Sequence, residues 1–278
     1  MGIVIGIDVG GSTTKIIGIE QDELKHPMLV KAEDPVTSLF GAFGKYIYDN
    51  GISLSEVEQV MLTGVGSGYV TQDLYGLPTA HADEFLANGL GASYGLELKD
   101  LIVVSMGTGT SFVKVQDGHI AHIGGIGIGG GTISGLSHLL LKTSDIHQVV
   151  EMACKGDIRN VNLLIKDISN VALPGLPLDA TASIFGKADM NTRIEDVAAG
   201  IIAMVLQAIG QSVVLAALNS PVKDFILIGN LTKLPQCANV FPALERLYGC
   251  RFLIPRYAEY RTALGAALVY RTGKPVSR

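Results

Sequence analysis

Two stretches of this chain open alike: an apolar strand, a turn of glycines and hydroxyls, and an apolar strand that comes straight back. The first is "IVIGIDVGGSTTKIIGIE", where only Val9 to Thr14 separate two β-branched runs. The second is "LIVVSMGTGTSFVKV", turning between Ser105 and Ser111 and followed by an Asp-Gly turn and a further strand. A dinucleotide fingerprint needs a helix directly after its glycines and the spacing G-x-G-x-x-G. Neither is present at Gly10-Gly11, so that reading fails. Residue identity between the two stretches is low, which makes the repeat one of architecture. Two such units facing each other would place two hairpins across a cleft.

Further elements follow from composition and punctuation. A third strand is expected near "MLVKA" (28–32), a helix over 35–50, a strand in "VEQVMLTGV" and a helix in "DEFLANGLGASYGL". "IGIGGGTISGLSHLLL" runs from a glycine loop into a helix, "DFILIGN" and "CRFLIP" read as strands, and "YRTALGAALVY" as a closing helix. This is an α/β chain, with a boundary expected near Leu96 to Asp100, giving domains of 1–97 and 98–278. The apolar share of 48% against 17% charged, with 34 glycines, suits buried parallel strands joined by tight turns.

Other classes are disfavoured. The net charge is −5 and no lysine- or arginine-rich run occurs, so nucleic acid is not an expected partner. The three cysteines, Cys154, Cys237 and Cys250, have neither disulfide nor metal spacing, which fits a reducing cytoplasm. No secretory leader is visible at the N-terminus. Residues 197–218 are uncharged and long enough to span a bilayer. Gln207, Gln211 and Ser212 fall on that run and aromatic or basic anchors are missing, so a helix buried all round, partly in a dimer interface, is expected instead of a membrane span. Thr192 to Glu195 match a capping box at its start.

The chemistry resides in the turns. Backbone amides of glycine turns converge on phosphate oxygens because no Cβ blocks the approach. Ser12, Thr13, Thr14, Thr108, Thr110 and Ser111 add hydroxyl donors, Lys15 a point charge, and Asp8 an oxygen ligand for magnesium through water. Each turn alone reads equally as an ordinary hairpin. Together with Gly125 to Gly131 ahead of a helix N-terminus they outline a nucleoside triphosphate site.

The order of these pieces resembles the acetate-kinase, sugar-kinase, Hsp70 and actin superfamily, and more narrowly the type II pantothenate kinases. "GIDVGGSTTK" and "MGTGTS" are similar to that family's two phosphate motifs, and "IGIGGGTISGLSHLLL" to its glycine loop and helix. "EMACKGDIRNVNLLIKDI", "ATASIFG", "ILIGN" and "YRTALGAAL" resemble its later segments. The resemblance implies a two-domain actin-like, ribonuclease H-like fold with a nucleotide cleft. It also implies ATP with Mg2+, pantothenate as phosphoryl acceptor, 4′-phosphopantothenate as product, and a homodimer through the long apolar helix. The phosphate-binding residues it implies are Asp8, Gly10, Gly11, Ser12, Thr13, Lys15, Gly107, Thr108, Gly109, Thr110, Gly129, Gly130 and Gly131. Gly229 and Asn230 fall near the adenosine end. Thr181 and Ala182, sometimes supplied by the partner subunit in the family, and Tyr260 match positions that line the pantothenate pocket.

Two departures stand out. The family's general base is a glutamate at the start of the helix after the second glycine turn. Counted from Pro78 it falls on Glu84, counted back from Gly89-Leu90-Gly91 on Ala82, with Asp83 as the other acid. Glu84 is the assignment, against the plain reading of an acid that favours the helix dipole. The family's arginine ahead of its glycine loop is His122 here, flanked by His119. His122 is a weaker substitute, a mark of an altered substrate, or a strand residue. Asp157 either belongs to the site or caps the next helix, and His138 and His147 are read as helix-surface residues. Three rivals remain: a superfamily kinase for another hydroxyl, an iron–sulfur activator of 2-hydroxyacyl-CoA dehydratases, and a nucleotide- or CoA-binding protein without turnover.

Overall fold

Alternation of β-branched residues with a glycine-hydroxyl turn produces the first hairpin as expected. In the computed structural model, which describes residues 2–31, 34–169, 171 and 175–274, it comprises β1 (Ile3–Val9) and β2 (Thr13–Glu20). β3 (Glu23–Lys31) starts five residues earlier than "MLVKA", and residue 32 of that stretch lies outside the described residues. Gln21 and Asp22 both take positive φ, the conformation of a two-residue hairpin turn, so the chain reverses at once. Lys25, His26 and Pro27 hide the strand's periodicity, and the edge position tolerates the proline.

α1 (Pro35–Asn50) begins behind Asp34, whose carboxylate accepts from the Thr37 amide, and ends at Gly51 with φ +61°. β4 (Val57–Thr63), β5 (Thr79–His81) and α2 (Glu84–Ser93) complete the first half. The second half contains β6 (Leu101–Met106), β7 (Thr110–Gln116), β8 (His119–Ile126), α3 (Gly130–Leu141), α4 (Ile146–Lys155), β9 (Leu163–Leu164) and α5 (Ile165–Ile168). It continues through β10 (Thr181–Ser183), α6 (Ile194–Ala216), β11 (Asp224–Ile228), α7 (Cys237–Tyr248), β12 (Arg251–Leu253) and α8 (Arg261–Arg271).

The two large sheets share one topology. Their orders are β3-β2-β1-β4-β5 and β8-β7-β6-β11-β12, each an antiparallel meander extended by two parallel strands. β9 and β10 form a separate two-stranded ribbon. One face of the first sheet buries Ile5, Ile7 and Val60 against Phe43 and Tyr46 of α1. Its other face packs Val4, Ile17 and Met61 against Ala263, Leu264 and Ala267 of α8. A division at residue 97 therefore separates the sheets, but α8, from the second segment, packs on the first sheet. α2 lies against α8 and also joins Val103, Val113 and Ile226 of the second sheet through Ala92 and Phe85.

α6 meets one expectation and corrects another. Its apolar circumference is largely covered by its own chain, with Ile201, Ile202, Val205, Leu206 and Ile209 buried beside α3, α4 and α7. Thr192 supplies no cap: the helix starts behind Arg193 without a side-chain bond, and the Thr192 hydroxyl accepts from the Asp189 amide.

The α2–α8 crossing has no room for a side chain on its inner face. A Cβ on Gly265 would stand 1.7 Å from the Ala87 carbonyl oxygen, and one on Gly91 1.8 Å from that of Arg261. Gly265→Ala is expected to lower Tm by roughly 3–10 °C. Gly135→Ala, in α3 with open space around it, is expected to raise Tm by a degree or more through helix propensity. Thermal denaturation of both variants checks the contrast.

Candidate active site

Asp8 and Lys15 face each other across the first hairpin, and Thr63 of β4 stands level with Asp8. Lys15 Nζ donates to Asp8 Oδ2 at 2.9 Å, and both residues are only 7% exposed. Asp8 Oδ1 accepts no hydrogen bond among the described residues. The Thr63 hydroxyl is buried without a partner there. Thr63 was not among the sequence candidates; its position at the carboxyl end of a parallel strand, where α/β sheets bind ligands, was the available signal.

At the second hairpin the chain folds into a tight knot. Gly107 N–H donates to Gly109 O, Gly130 N–H to Gly107 O and Gly131 N–H to Thr108 O, at 2.8–2.9 Å. Thr110 Oγ1 donates to Ile128 O at 2.8 Å. A Cβ on Gly129 would lie 2.6 Å from Thr108 O, so only glycine lets the loop sit on the turn. The amides at the start of α3, expected to face a phosphate, are thus occupied by the turn's carbonyls at Gly130 and Gly131. The open donors lie at the two tips: among the described residues the N–H groups of Gly11, Ser12, Thr108 and Gly109 meet no acceptor. Gly10 N–H instead closes its own turn on Thr13 O.

Asn230 brings the two halves together. It follows β11, and its Nδ2 donates to Thr13 Oγ1 of the first hairpin at 3.2 Å, while its buried Oδ1 has no partner among the described residues. Gly229 N–H donates to Ala258 O at 3.0 Å, which ties this corner to the turn carrying Tyr260.

At the start of α2 the three register candidates take different environments. Ala82 is buried and its amide bonds Leu62 O. Asp83 caps the helix, accepting from the Leu86 amide at 2.8 Å. Glu84 is half-buried without such a bond. Burial raises its pKa first, the negative charge of Asp8 raises it further, and Lys15 opposes both. His122 is exposed on β8 and stacks on Phe85, with ring centroids 4.0 Å apart, next to Glu84 in the chain. Phe85 is the second residue the sequence did not single out, because a partly buried aromatic on a helix reads as core.

The remaining candidates lie elsewhere. Thr181 and Ala182 stand in the β9–β10 ribbon, Ala182 exposed, with no hydrogen bond to either hairpin. Tyr260 is half-buried in the turn before α8, edge-on to Tyr257. Asp157 caps its own turn, accepting from the Arg159 amide, and His138 and His147 are exposed.

Two sheets of one topology, each carrying a glycine turn and tied at the site by Asn230 and Thr13, define a two-domain protein of the sugar-kinase and actin fold. The activator of the 2-hydroxyisocaproyl-CoA dehydratase from Clostridium difficile, solved with bound ADPNP, is similar with TM-score 0.68 over 96% of this chain and 93% of that one, at 15% identity. A ROK family glucokinase from Streptomyces griseus, in complex with glucose and AMPPNP, is similar with TM-score 0.63 over 98% and 100%, at 13% identity. The narrower relation comes from sequence. The profile of the Fumble family matches residues 97–266. A type II pantothenate kinase of Staphylococcus aureus (strain bovine RF122 / ET3-1) is 31% identical over 221 residues, 77% of this chain and 78% of that protein. The counterpart in strain USA300 is 30% identical over the same span. The chain belongs to the Fumble family.

Glu84 yields a stability prediction with a fixed sign. Its folded pKa lies above the ordinary 4.5, so ionisation costs the folded state, and the cost appears as pH rises through the raised value. Glu84→Gln is expected to raise Tm near neutral pH. The gain should shrink as pH falls and vanish below about 4.5, where both states hold the carboxyl protonated. Melting curves of both proteins across that range read the difference.

Proposed function

We propose that this protein transfers the γ-phosphoryl group of ATP to the terminal hydroxyl of pantothenate, the first step toward coenzyme A. The observation that carries the reading is Glu84 beside the Asp8–Lys15 pair at the mouth of the first hairpin, in a chain of the Fumble family. The pantothenate specificity rests on the named relatives.

In this reading the free amides of Gly11, Ser12, Thr108 and Gly109 hold phosphate oxygens, with Lys15 contributing positive charge. Glu84 takes the proton of the attacking hydroxyl. Its raised pKa suits that role, because a base must bind the proton it removes. The new bond joins the substrate oxygen to the γ-phosphorus, and the bond from that phosphorus to the ADP oxygen breaks. The chain's oxygen ligands fit a magnesium ion: Asp8 Oδ1 is unengaged, and the Asp8 and Glu84 carboxylates repel each other. Asp8 would hold the ion through water, and the ion supplies charge neutralisation on the phosphates.

His122, fixed by Phe85, takes the place of the family's arginine as a donor of single hydrogen bonds. Thr181, Ala182 and Tyr260 contact the acceptor, Thr181 and Ala182 from the partner subunit of a homodimer. Gly229 and Asn230 border the nucleotide, and Gly129 to Gly131 shape the loop. The homodimer is placed through the exposed part of the long apolar helix α6, where Ile194 and Leu215 remain uncovered. A cytoplasmic location accords with three free cysteines and with the one long apolar helix among the described residues being mostly buried.

ADP release from Mg-ATP with pantothenate, pantetheine and a sugar panel tests the reading. Pantothenate-dependent turnover is expected, falling on the order of 10²–10⁴-fold in Glu84→Gln. Asp83→Asn, which keeps a good cap, should stay within several-fold of wild type. His122→Arg should raise kcat/KM by restoring a forked cation. Turnover of another hydroxyl would revise the substrate; tight ATP binding without any turnover would make this a binding protein on a kinase fold.

A further inference from the structure

We propose a second ligand site, for a small oxyanion, at the carboxyl end of α2. A cavity of about 400 Å³ opens there, lined by Asp22, Glu23, Tyr94, Arg256, Tyr257 and Arg261 among others. No residue assigned to the active site lines it. The helix itself, about 15 Å long at 1.5 Å per residue, separates it from Glu84.

Arg261 carries the argument. It is only 5% exposed, yet no carboxylate pairs with it among the described residues. Three backbone carbonyls hold it rigidly: Nε donates to Arg256 O at 3.0 Å, and Nη1 donates to Gly91 O at 3.0 Å and Tyr94 O at 2.6 Å. Its Nη2 makes no hydrogen bond among the described residues. A buried guanidinium is ordinarily matched by an anion, since carbonyl dipoles do not cancel a net charge. Burial draws its pKa below arginine's ordinary value, which reports the same lack of compensation.

The surroundings complete a receptor. Arg256 lies over the Tyr257 ring, 4.6 Å from its centroid, and donates to Tyr257 Oη at 2.7 Å, so a second guanidinium is held at the rim. The two carboxylates of the cavity are already engaged: Asp22 with Arg271 and Glu23 with Lys25. Lys25 is shared with Glu20, but neither carboxylate of the cavity pairs with Arg256 or Arg261, whose forked donors match the oxygens of a phosphoryl or carboxylate group.

The test titrates potassium phosphate and, separately, potassium acetate into protein saturated with Mg–AMPPNP, at constant ionic strength, and reads Tm. Saturable stabilisation by one of the two is expected, and which one identifies the source as phosphoryl or carboxylate. The apparent Kd should weaken about ten-fold or more in Arg256→Gln, whose exposed side chain the fold does not require, and in Arg261→Gln. No saturable effect of either salt, or an unchanged Kd in Arg256→Gln, overturns the proposal. That arm decides even if Arg261→Gln fails to fold. Anomalous density for selenate, soaked into crystals of the same nucleotide complex, should fall at Arg261 Nη2; a peak confined to the hairpin tips overturns it too.

Discussion

Where α2 crosses α8, backbone lies directly on backbone. Gly91 faces the Arg261 carbonyl and Gly265 faces that of Ala87, at separations that no side chain fits. Each helix has further partners: α8 covers the first sheet and α2 reaches the second. The crossing therefore joins the two halves. Asn88 and Thr262 pin its register through a buried hydrogen bond of 2.7 Å, in a place where sliding would leave both groups unpaired. Because Glu84 is the first residue of α2, its position relative to Asp8 follows from this packing. Arg261, on the other helix, ends α2 by taking its last carbonyls, so both ends of the crossing carry charge.

Electrostatics within the cleft follow from burial. The Asp8–Lys15 pair is nearly inaccessible, and such a pair in a low-dielectric setting adds little net stability while costing several kcal/mol when one partner is removed. The pair also conditions its neighbour. Glu84 feels a carboxylate and an ammonium at once, and desolvation, the largest effect, leaves its pKa above the ordinary 4.5. A carboxyl held this way costs the folded state stability once it ionises. The donors at the turn tips are a separate resource: the Gly107 amide and the first amides of α3 go to carbonyls of the second turn, while among the described residues those of Thr108 and Gly109, like Gly11 and Ser12 on the first turn, stay open.

Much of the fold was legible in the chain. The hairpins follow from β-branched alternation around glycine turns, and α1 from Asp34, Pro35 and Gly51, which set its ends locally. β3 was legible only at its end, because polar residues on an edge strand carry no hydrophobic period. α6 read correctly as buried, yet its uniform apolarity does not say by what; the answer is its own sheet and the helices beside it. Its capping box failed because Thr192 found a nearer donor in Asp189. Among candidate residues, counting could not choose between Ala82 and Glu84. The fold separates them physically, since Ala82 ends in the core and Asp83 is used as a cap.

By itself the sequence determined the local conformations: which runs are strands, where the glycine turns bend, and that two such units recur. It determined the chemical inventory as well, with hydroxyls and glycines at two turns and acids at one helix start. Only the tertiary structure decided how that inventory is spent. It directed the Gly130 and Gly131 amides to carbonyls, set Asn230 against Thr13, stacked His122 on Phe85 and left Arg261 buried without an anion. These outcomes depend on which distant segments meet, with Asn230 and Thr13 more than two hundred residues apart. Local propensity carries no information about such partners; shape and burial assign them when the sheets and the α2–α8 crossing close.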